Sequence, residues 1–153
     1  MIYGCAVTII LPKKASQARP ISLTKEFERV DGRDFAKYIS ELCCREKRFA
    51  DNLSVKEDYS DYHCWLLPDG SRGFAVGRYF ELTNVFSRIS CGDKARGILD
   101  CAKSNYENLF LNCFAGKNEE IYKSNGFVVT RRESNWEGPP HPDVVHMQWS
   151  RSP

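Results

Sequence analysis

The stretch from Leu109 to Arg131 constrains the fold of this chain most, because three short elements with clear boundaries follow one another there. Leu109–Ala115 is an apolar run of strand length, which predicts a strand buried on both faces. Lys117–Ser124 predicts a short helix, and Asn125-Gly126 ends it with glycine where a left-handed C-cap residue is favoured. Phe127–Arg131 predicts the next strand. The unit is typical of domains that mix helices and strands.

The remaining elements follow from hydrophobic periodicity and turn signals. Strands are predicted at residues 2–11, Tyr62–Leu67, Gly73–Arg78, Phe80–Ile89 and Val144–Trp149. Helices with one apolar face are predicted at Arg33–Glu46 and Asp93–Ser104, and a short helix within 47–60. The order is β, α, (α), β, β, β, α, β, α, β, β. No repeat or linker divides the sequence, so residues 1–153 are expected to form a single domain.

Composition narrows the class of protein. Hydrophobic residues make up 42% and charged residues 27% of the 153 positions, the balance of a soluble globular domain. A net charge of +2 favours neither a nucleic acid nor an anionic membrane as partner. The apolar run near the N-terminus is too short to span a bilayer and lacks the preceding basic residues of a signal peptide. Seven scattered cysteines favour reduced thiols, and we expect a cytoplasmic protein.

Local sequence around the opening unit carries a resemblance to a known family. Ile121–Val129 reads Ile-Tyr-Lys-Ser-Asn-Gly-Phe-Val-Val, with the spacing Tyr-x-x-x-Gly-Phe. From about Arg33 onward the element order and this spacing resemble the acyl-CoA N-acyltransferase (GNAT) superfamily. The resemblance implies a mixed central sheet of six to seven strands, flanked by three to four helices. Cys113-Phe114, Arg131-Arg132 and Pro142–Met147 further resemble small, mostly phage-encoded GNAT-like proteins.

The resemblance implies a cleft between two splayed parallel strands that holds acyl-CoA, with acetyl-CoA as the expected cofactor. Tyr122 aligns with the family tyrosine that protonates the departing thiolate, although a core aromatic would also suit its helix. Glu81 opens the strand before the phosphate loop and is the candidate base, or the holder of a catalytic water. A plain surface charge is the alternative for Glu81. Asn84 and Ser87 are polar neighbours able to orient such a water.

The expected cofactor site surrounds residues 88–97, where phosphates would meet backbone N–H groups at a helix N-terminus. The residues assigned to it are Thr83, Val85, Ser87, Arg88, Gly92, Lys94, Ala95 and Asn118. This loop lacks the tight glycine spacing of the family, and Ala115 stands where many members have a cofactor-binding asparagine. An ordinary helix N-cap at Ser90–Asp93 is therefore the alternative interpretation.

The loop Ser134–Asp143, between the last two strands, would border the acceptor site in this fold. Trp136 and His141 are the candidate substrate-binding residues, although Trp136 could instead fasten the loop to the core. Cys91 at a helix start would suit a thiol nucleophile, but no sequence feature brings a histidine to it. Cys-x-x-Cys and His-Glu-x-x-His spacings do not occur in the sequence, and we expect no metal site.

Three functions remain open at this point. The first is an acyl-CoA-dependent N-acyltransferase that moves an acetyl group to an amine on a small molecule or protein. The second is a catalytically inactive, phage-encoded GNAT-like protein that binds a host macromolecule. The third is an enzyme of this fold that acts on nucleic acid bases or on a tRNA-linked group, which only the arginines suggest, Arg131 and Arg132 together with the basic stretch Arg45–Arg48.

Overall fold

A computed structural model describes residues 26–88 and 94–151, which contain seven strands and four α-helices. The strands are β1 (Glu28–Val30), β2 (His63–Leu66), β3 (Arg72–Val76), β4 (Leu82–Ser87), β5 (Asn108–Phe114), β6 (Val128–Glu133) and β7 (Val144–Ser150). The helices are α1 (Gly32–Arg45), α2 (Lys47–Ala50), α3 (Lys94–Asn105) and α4 (Lys117–Ser124). The strand predicted at residues 2–11 lies outside the described ranges. No helix within them is long and apolar enough to cross a membrane.

The first half of the chain forms an antiparallel sheet in the order β1-β2-β3-β4, with α1 packed on one face. Asp31 caps α1, because its carboxylate accepts the backbone N–H of Arg33 at 2.8 Å. The helix then buries Phe35, Ile39 and Leu42 against the sheet, as their spacing predicted.

The second half forms a three-stranded antiparallel sheet in the order β5-β7-β6, with α3 and α4 on one face. Its core side chains include Leu109, Leu111 and Cys113 from β5. Phe110 and Asn112 alternate with them and point to the opposite face, where both are exposed. The prediction that β5 is buried on both faces was therefore wrong, because no described helix covers this outer face.

The two sheets meet at one parallel β-bridge between Glu81 and Phe110. With the bridge the strands form one mixed sheet of seven strands, flanked by four helices. This arrangement confirms the GNAT-like fold class predicted from the element order. Two local features were missed. β1 has only three residues, and Arg78–Phe80 forms a 3-10 turn with left-handed backbone at Tyr79 and Phe80, so β4 begins later than predicted.

The C-terminal end of α4 explains the Tyr-x-x-x-Gly-Phe spacing. Gly126 adopts a φ of 93°, and its N–H bonds the carbonyl of Lys123 at 3.0 Å. The reversal brings the N–H of Phe127 to the carbonyl of Tyr122 at 3.0 Å and sets the two rings edge to face, with centroids 5.5 Å apart. The motif therefore locks α4 to the start of the next strand.

Glu119, on the first turn of α4, makes folding stability sensitive to acid. Its carboxylate binds Arg132 at 2.7 Å and Lys123 at 3.1 Å, and these contacts lower its pKa to about 2. A carboxyl group with a depressed folded-state pKa contributes stability above its unfolded pKa and loses it as the pH falls toward the folded value. We expect Glu119→Gln to lose less stability than wild type between about pH 4.5 and pH 2.

Thermal unfolding midpoints measured across that pH range test this expectation. Glu120→Gln is the matched control, because Glu120 is an exposed neighbour on the same helix. If Glu119→Gln and Glu120→Gln show the same pH dependence as wild type, the ion pairs of Glu119 do not stabilise the fold.

Candidate active site

The candidate site is the gap between β4 and β5. These strands run parallel and touch at the Glu81–Phe110 bridge, and no further pairing between them is observed beyond it. Their next residues line a cavity of about 380 Å³ instead. A sheet that opens in this way leaves backbone donors and acceptors free for a ligand that adds to the strand edges.

A β-bulge in β4 produces the separation. Asn84 and Val85 stand opposite Phe74 alone, and Asn84 adopts a left-handed φ of 50°. Bulges bend a strand and increase its twist, and they are frequent beside active sites. The bulge therefore turns β4 away from β5 just after the bridge.

Buried hydrogen bonds hold the bulge in place. The side-chain oxygen of Asn84 accepts a hydrogen bond from the hydroxyl of Tyr59 at 2.6 Å, and its side-chain N–H donates one to the carbonyl of Ser54 at 2.8 Å. Burial raises the pKa of Tyr59 to about 12, so this hydroxyl remains protonated and can donate near neutral pH. Asn84 thus positions the backbone of the gap, and its amide is not available to orient a water as the sequence suggested.

The cavity crosses the sheet. One wall comes from the outer face, with Asn112, Phe114 and the loop from Asp51 to Lys56. Tyr122 also lines the cavity, although it belongs to the core on the opposite face, beside α3 and α4. A single space lined from both faces means that the gap between β4 and β5 connects them.

Tyr122 lines this space from the core side of the sheet. It is only 2% exposed and packs among core residues, so a ligand would reach it through the gap. Thr83 on β4 lines the same space, as does Glu81, which forms the bridge just before β4 begins. The structure therefore brings together both predicted catalytic residues, Tyr122 and Glu81, with the predicted cofactor residue Thr83.

The other predicted cofactor residues are more scattered. Val85 and Ser87 are buried along β4, and Ala95 is buried in the first turn of α3. Arg88 is also buried, and its guanidinium contacts the carboxylate of Glu46 at 3.2 Å. Asn118 is half-buried and is the second residue of α4. Gly92 lies outside the described residues. Lys94 is described only as the first residue of α3.

The predicted substrate residues occupy different positions. Trp136 is 82% exposed and forms the rim of the cavity. His141 does not line it, and its ring lies 3.4 Å from the carboxylate of Glu137 within the same loop. His146 lies apart from this loop, on β7 beside Glu133. Across residues 26–88 and 94–151, no group of three or more His, Cys, Asp or Glu side chains could hold a metal ion.

Sequence reasoning missed Asn112, His146 and Glu133. They line a second cavity of about 170 Å³ on the outer face, which shares Asn112, Phe114 and Trp136 with the first. A polar residue inside the apolar run of β5 was the one available signal, since Asn112 would not suit a strand buried on both faces. The position of His146 depends on strand register, which the sequence does not show.

Solved structures of acetyltransferases share this architecture. A protein described as an N-acetyltransferase from Lactobacillus plantarum matches with a TM-score of 0.60, 14% identity, and coverage of 83% of this chain and 98% of its own. One described as an acetyltransferase from Staphylococcus epidermidis matches with a TM-score of 0.57, 14% identity, and coverage of 83% and 99%. A chain of the NatC complex bound to Gag peptide and CoA matches with a TM-score of 0.53 and 11% identity. The match covers 83% of this chain and 98% of that one.

These likenesses show that the chain has the fold of GNAT-type N-acetyltransferases, as the spacing around Tyr122 predicted. No protein-family model matches the sequence. No curated protein matches it either. The narrower resemblance to phage-encoded proteins stays a prediction.

Proposed function

We propose that this protein is an acyl-CoA-dependent N-acyltransferase, with acetyl-CoA as the donor and an amine as the acceptor. The observation that carries the proposal is the through-sheet cavity, which Tyr122 and Glu81 both line. The amide-bearing arm of a CoA thioester would lie in the gap like an added strand, with the acetyl carbonyl directed at the backbone of β4. The fold likeness to acetyltransferases supports the same assignment.

In this proposal the thioester enters from the face of α3 and α4, where α3 begins at Lys94 and its first turn would offer backbone N–H groups to the phosphates. The acceptor enters from the outer face, between the loop of Asp51–Lys56 and Trp136. The amine nitrogen adds to the carbonyl carbon, and the carbon–sulfur bond breaks. Tyr122 gives its proton to the leaving thiolate, and Glu81, directly or through a water, is a candidate to receive the proton that the amine loses.

Amine-dependent release of free CoA from acetyl-CoA tests the proposal. We expect the purified protein to release thiol faster when a pool of free amino acids, polyamines and short peptides is present than when it is absent. Mass spectrometry of the pool then identifies the acceptor by the added acetyl group. Failure of the protein to bind acetyl-CoA, shown by calorimetry, would contradict the proposal.

One observation favours the second function, a binding protein without transferase activity. Phe110 and Trp136 are exposed, and so is Phe80; Trp136 lines the cavity, and Phe80 and Phe110 are neighbours of Glu81, which lines it too. An exposed apolar patch of this kind marks many protein interfaces. In that case the chain would be a phage-encoded protein whose outer face binds a host macromolecule. Acetyl-CoA would then bind without turnover or not at all.

A further inference from the structure

The second cavity on the outer face contains a histidine whose orientation is fixed. Its walls are Asn112, Phe114 and Trp136, which it shares with the gap, together with Val144, Glu133 and His146. His146 pairs with Asn112 across β5 and β7, so both side chains project from the same face of the sheet. The histidine is therefore one strand away from the gap.

Glu81 and the pair of Asn112 and His146 lie at different levels along the gap. Glu81 stands at the bridge to Phe110, where β4 and β5 are still joined. Asn112 lies two residues further along β5, on the same face, where the strands have separated. The pair of Asn112 and His146 is thus level with the open part of the gap, and Glu81 lies before it.

Two charged side chains contact the same ring nitrogen of His146. Its Nε2 lies 2.5 Å from the carboxylate of Glu133 and 3.2 Å from the guanidinium of Arg131, which itself lies 3.0 Å from that carboxylate. The carboxylate can only accept and makes the much shorter contact, so we assign the hydrogen of the neutral ring to Nε2 and pair Arg131 with Glu133. The Nδ1 atom then keeps a lone pair, as in the carboxylate–histidine pairs that act as general bases.

We propose that His146, oriented by Glu133, takes the proton that the acceptor amine loses during acyl transfer. This inference rests on the proposed function of the gap. The amine nitrogen forms a bond to the thioester carbon, the carbon–sulfur bond breaks, and the nitrogen's proton passes to Nδ1 directly or through one water. Tyr122 supplies the proton of the CoA thiol. Solvent then removes the proton from His146 and returns one to Tyr122.

The chemistry favours an imidazole over a carboxylate in this role. In model peptides an imidazole is a stronger base than a carboxylate by about 2 pKa units, and it is largely neutral just above pH 7. Glu133 acts as a positioning residue, because its carboxylate contacts Nε2 of the ring. Among the described residues that face His146, Arg131 and Glu133 on β6 are charged, while Asn112 and Phe114 on β5 do not titrate.

A cross-strand pair of histidine and glutamate could also serve stability alone. Two measurements separate the roles. The first is ¹⁵N-histidine NMR, which is simple here because the chain has three histidines. With His146→Gln to assign the signal, we expect the neutral ring of His146 to carry its proton on Nε2. A ring protonated on Nδ1 would overturn the proposal whether or not an acceptor is known.

The second measurement is the pH dependence of acetyl transfer to the amine pool. We expect His146→Gln to bind acetyl-CoA like wild type but to transfer about 100-fold more slowly, and His146→Ala to be partly rescued by free imidazole. The acidic limb that a general base gives the pH–rate profile should be absent from His146→Gln. Glu133→Gln should lower kcat with little change in the KM for acetyl-CoA, because the amide no longer fixes the ring, and a purely structural pair would show neither effect.

His63→Gln is the matched control, since His63 bonds Tyr106 and lies outside both cavities. Unchanged turnover and an unchanged acidic limb in His146→Gln would overturn the role of His146 while leaving acyl transfer intact. A wild-type protein that does not bind acetyl-CoA would instead overturn the proposed function itself. The two failures are therefore distinguishable.

Discussion

Tyr122→Phe is expected to lower the rate of acyl transfer by about 100-fold or more, the range that a lost general acid produces. The substitution removes the hydroxyl and keeps the ring that packs on Phe127. Affinity for acetyl-CoA should change little, because in the proposed mechanism the hydroxyl acts on the sulfur only as the bond breaks. Steady-state kinetics, with calorimetry for the binding constant, separates these two effects.

Tyr106→Phe provides the control for this experiment. The hydroxyl of Tyr106 bonds His63 at 2.8 Å, and the residue does not line the gap. Its loss should leave transfer unchanged. Equal activity of Tyr122→Phe and wild type would remove Tyr122 from the mechanism, while a parallel loss of thermal stability in Tyr122→Phe would indicate a structural defect.

Asn84→Ala should be the most damaging small substitution at the bulge. It removes the hydrogen bonds to Tyr59 and Ser54, and it places alanine in a left-handed backbone conformation. Together these changes are expected to lower the free energy of unfolding by about 2–4 kcal/mol. Because the bulge separates β4 from β5, affinity for acetyl-CoA should fall as well.

Two further variants separate the cost of the lost hydrogen bonds from the cost of backbone strain at residue 84. Asn84→Gly loses both hydrogen bonds but tolerates the backbone conformation, so it should be less destabilised than Asn84→Ala. Tyr59→Phe removes the hydrogen bond to Asn84 and the one accepted from the N–H of Lys56 but leaves residue 84 unchanged, and it should cost about 1–2 kcal/mol. Urea unfolding provides the comparison. If alanine and glycine at this position give the same stability, backbone strain is not what asparagine relieves here.

The elements of the fold were predictable because their signals are local. The apolar face of α1 and the glycine at the end of α4 follow from residues within one or two turns. The motif around Tyr122 was sufficient to place α4 and β6. β1 escaped prediction, because three residues are too few to show a period.

The gap was harder to predict, because distant contacts create it. The bulge at Asn84 depends on Tyr59 and Ser54, which are 25 and 30 residues earlier in the chain. The same limit applies to His146, which strand register sets beside Asn112 and Glu133. The error about β5 had a local cause, since Asn112 was treated as part of an apolar run.

Calorimetric titration with acetyl-CoA tests the central claim, that the gap between β4 and β5 is an acyl-CoA site. The informative variant is Thr83→Trp, because Thr83 lines the gap and a large side chain there would fill it. Val128→Trp, on the exposed surface of β6, controls for an added tryptophan. We predict saturable heat for wild type and Val128→Trp, and affinity at least about tenfold weaker, or a loss of about 1.4 kcal/mol, for Thr83→Trp. Absence of heat with wild type, or equal affinity in a folded Thr83→Trp, would contradict it.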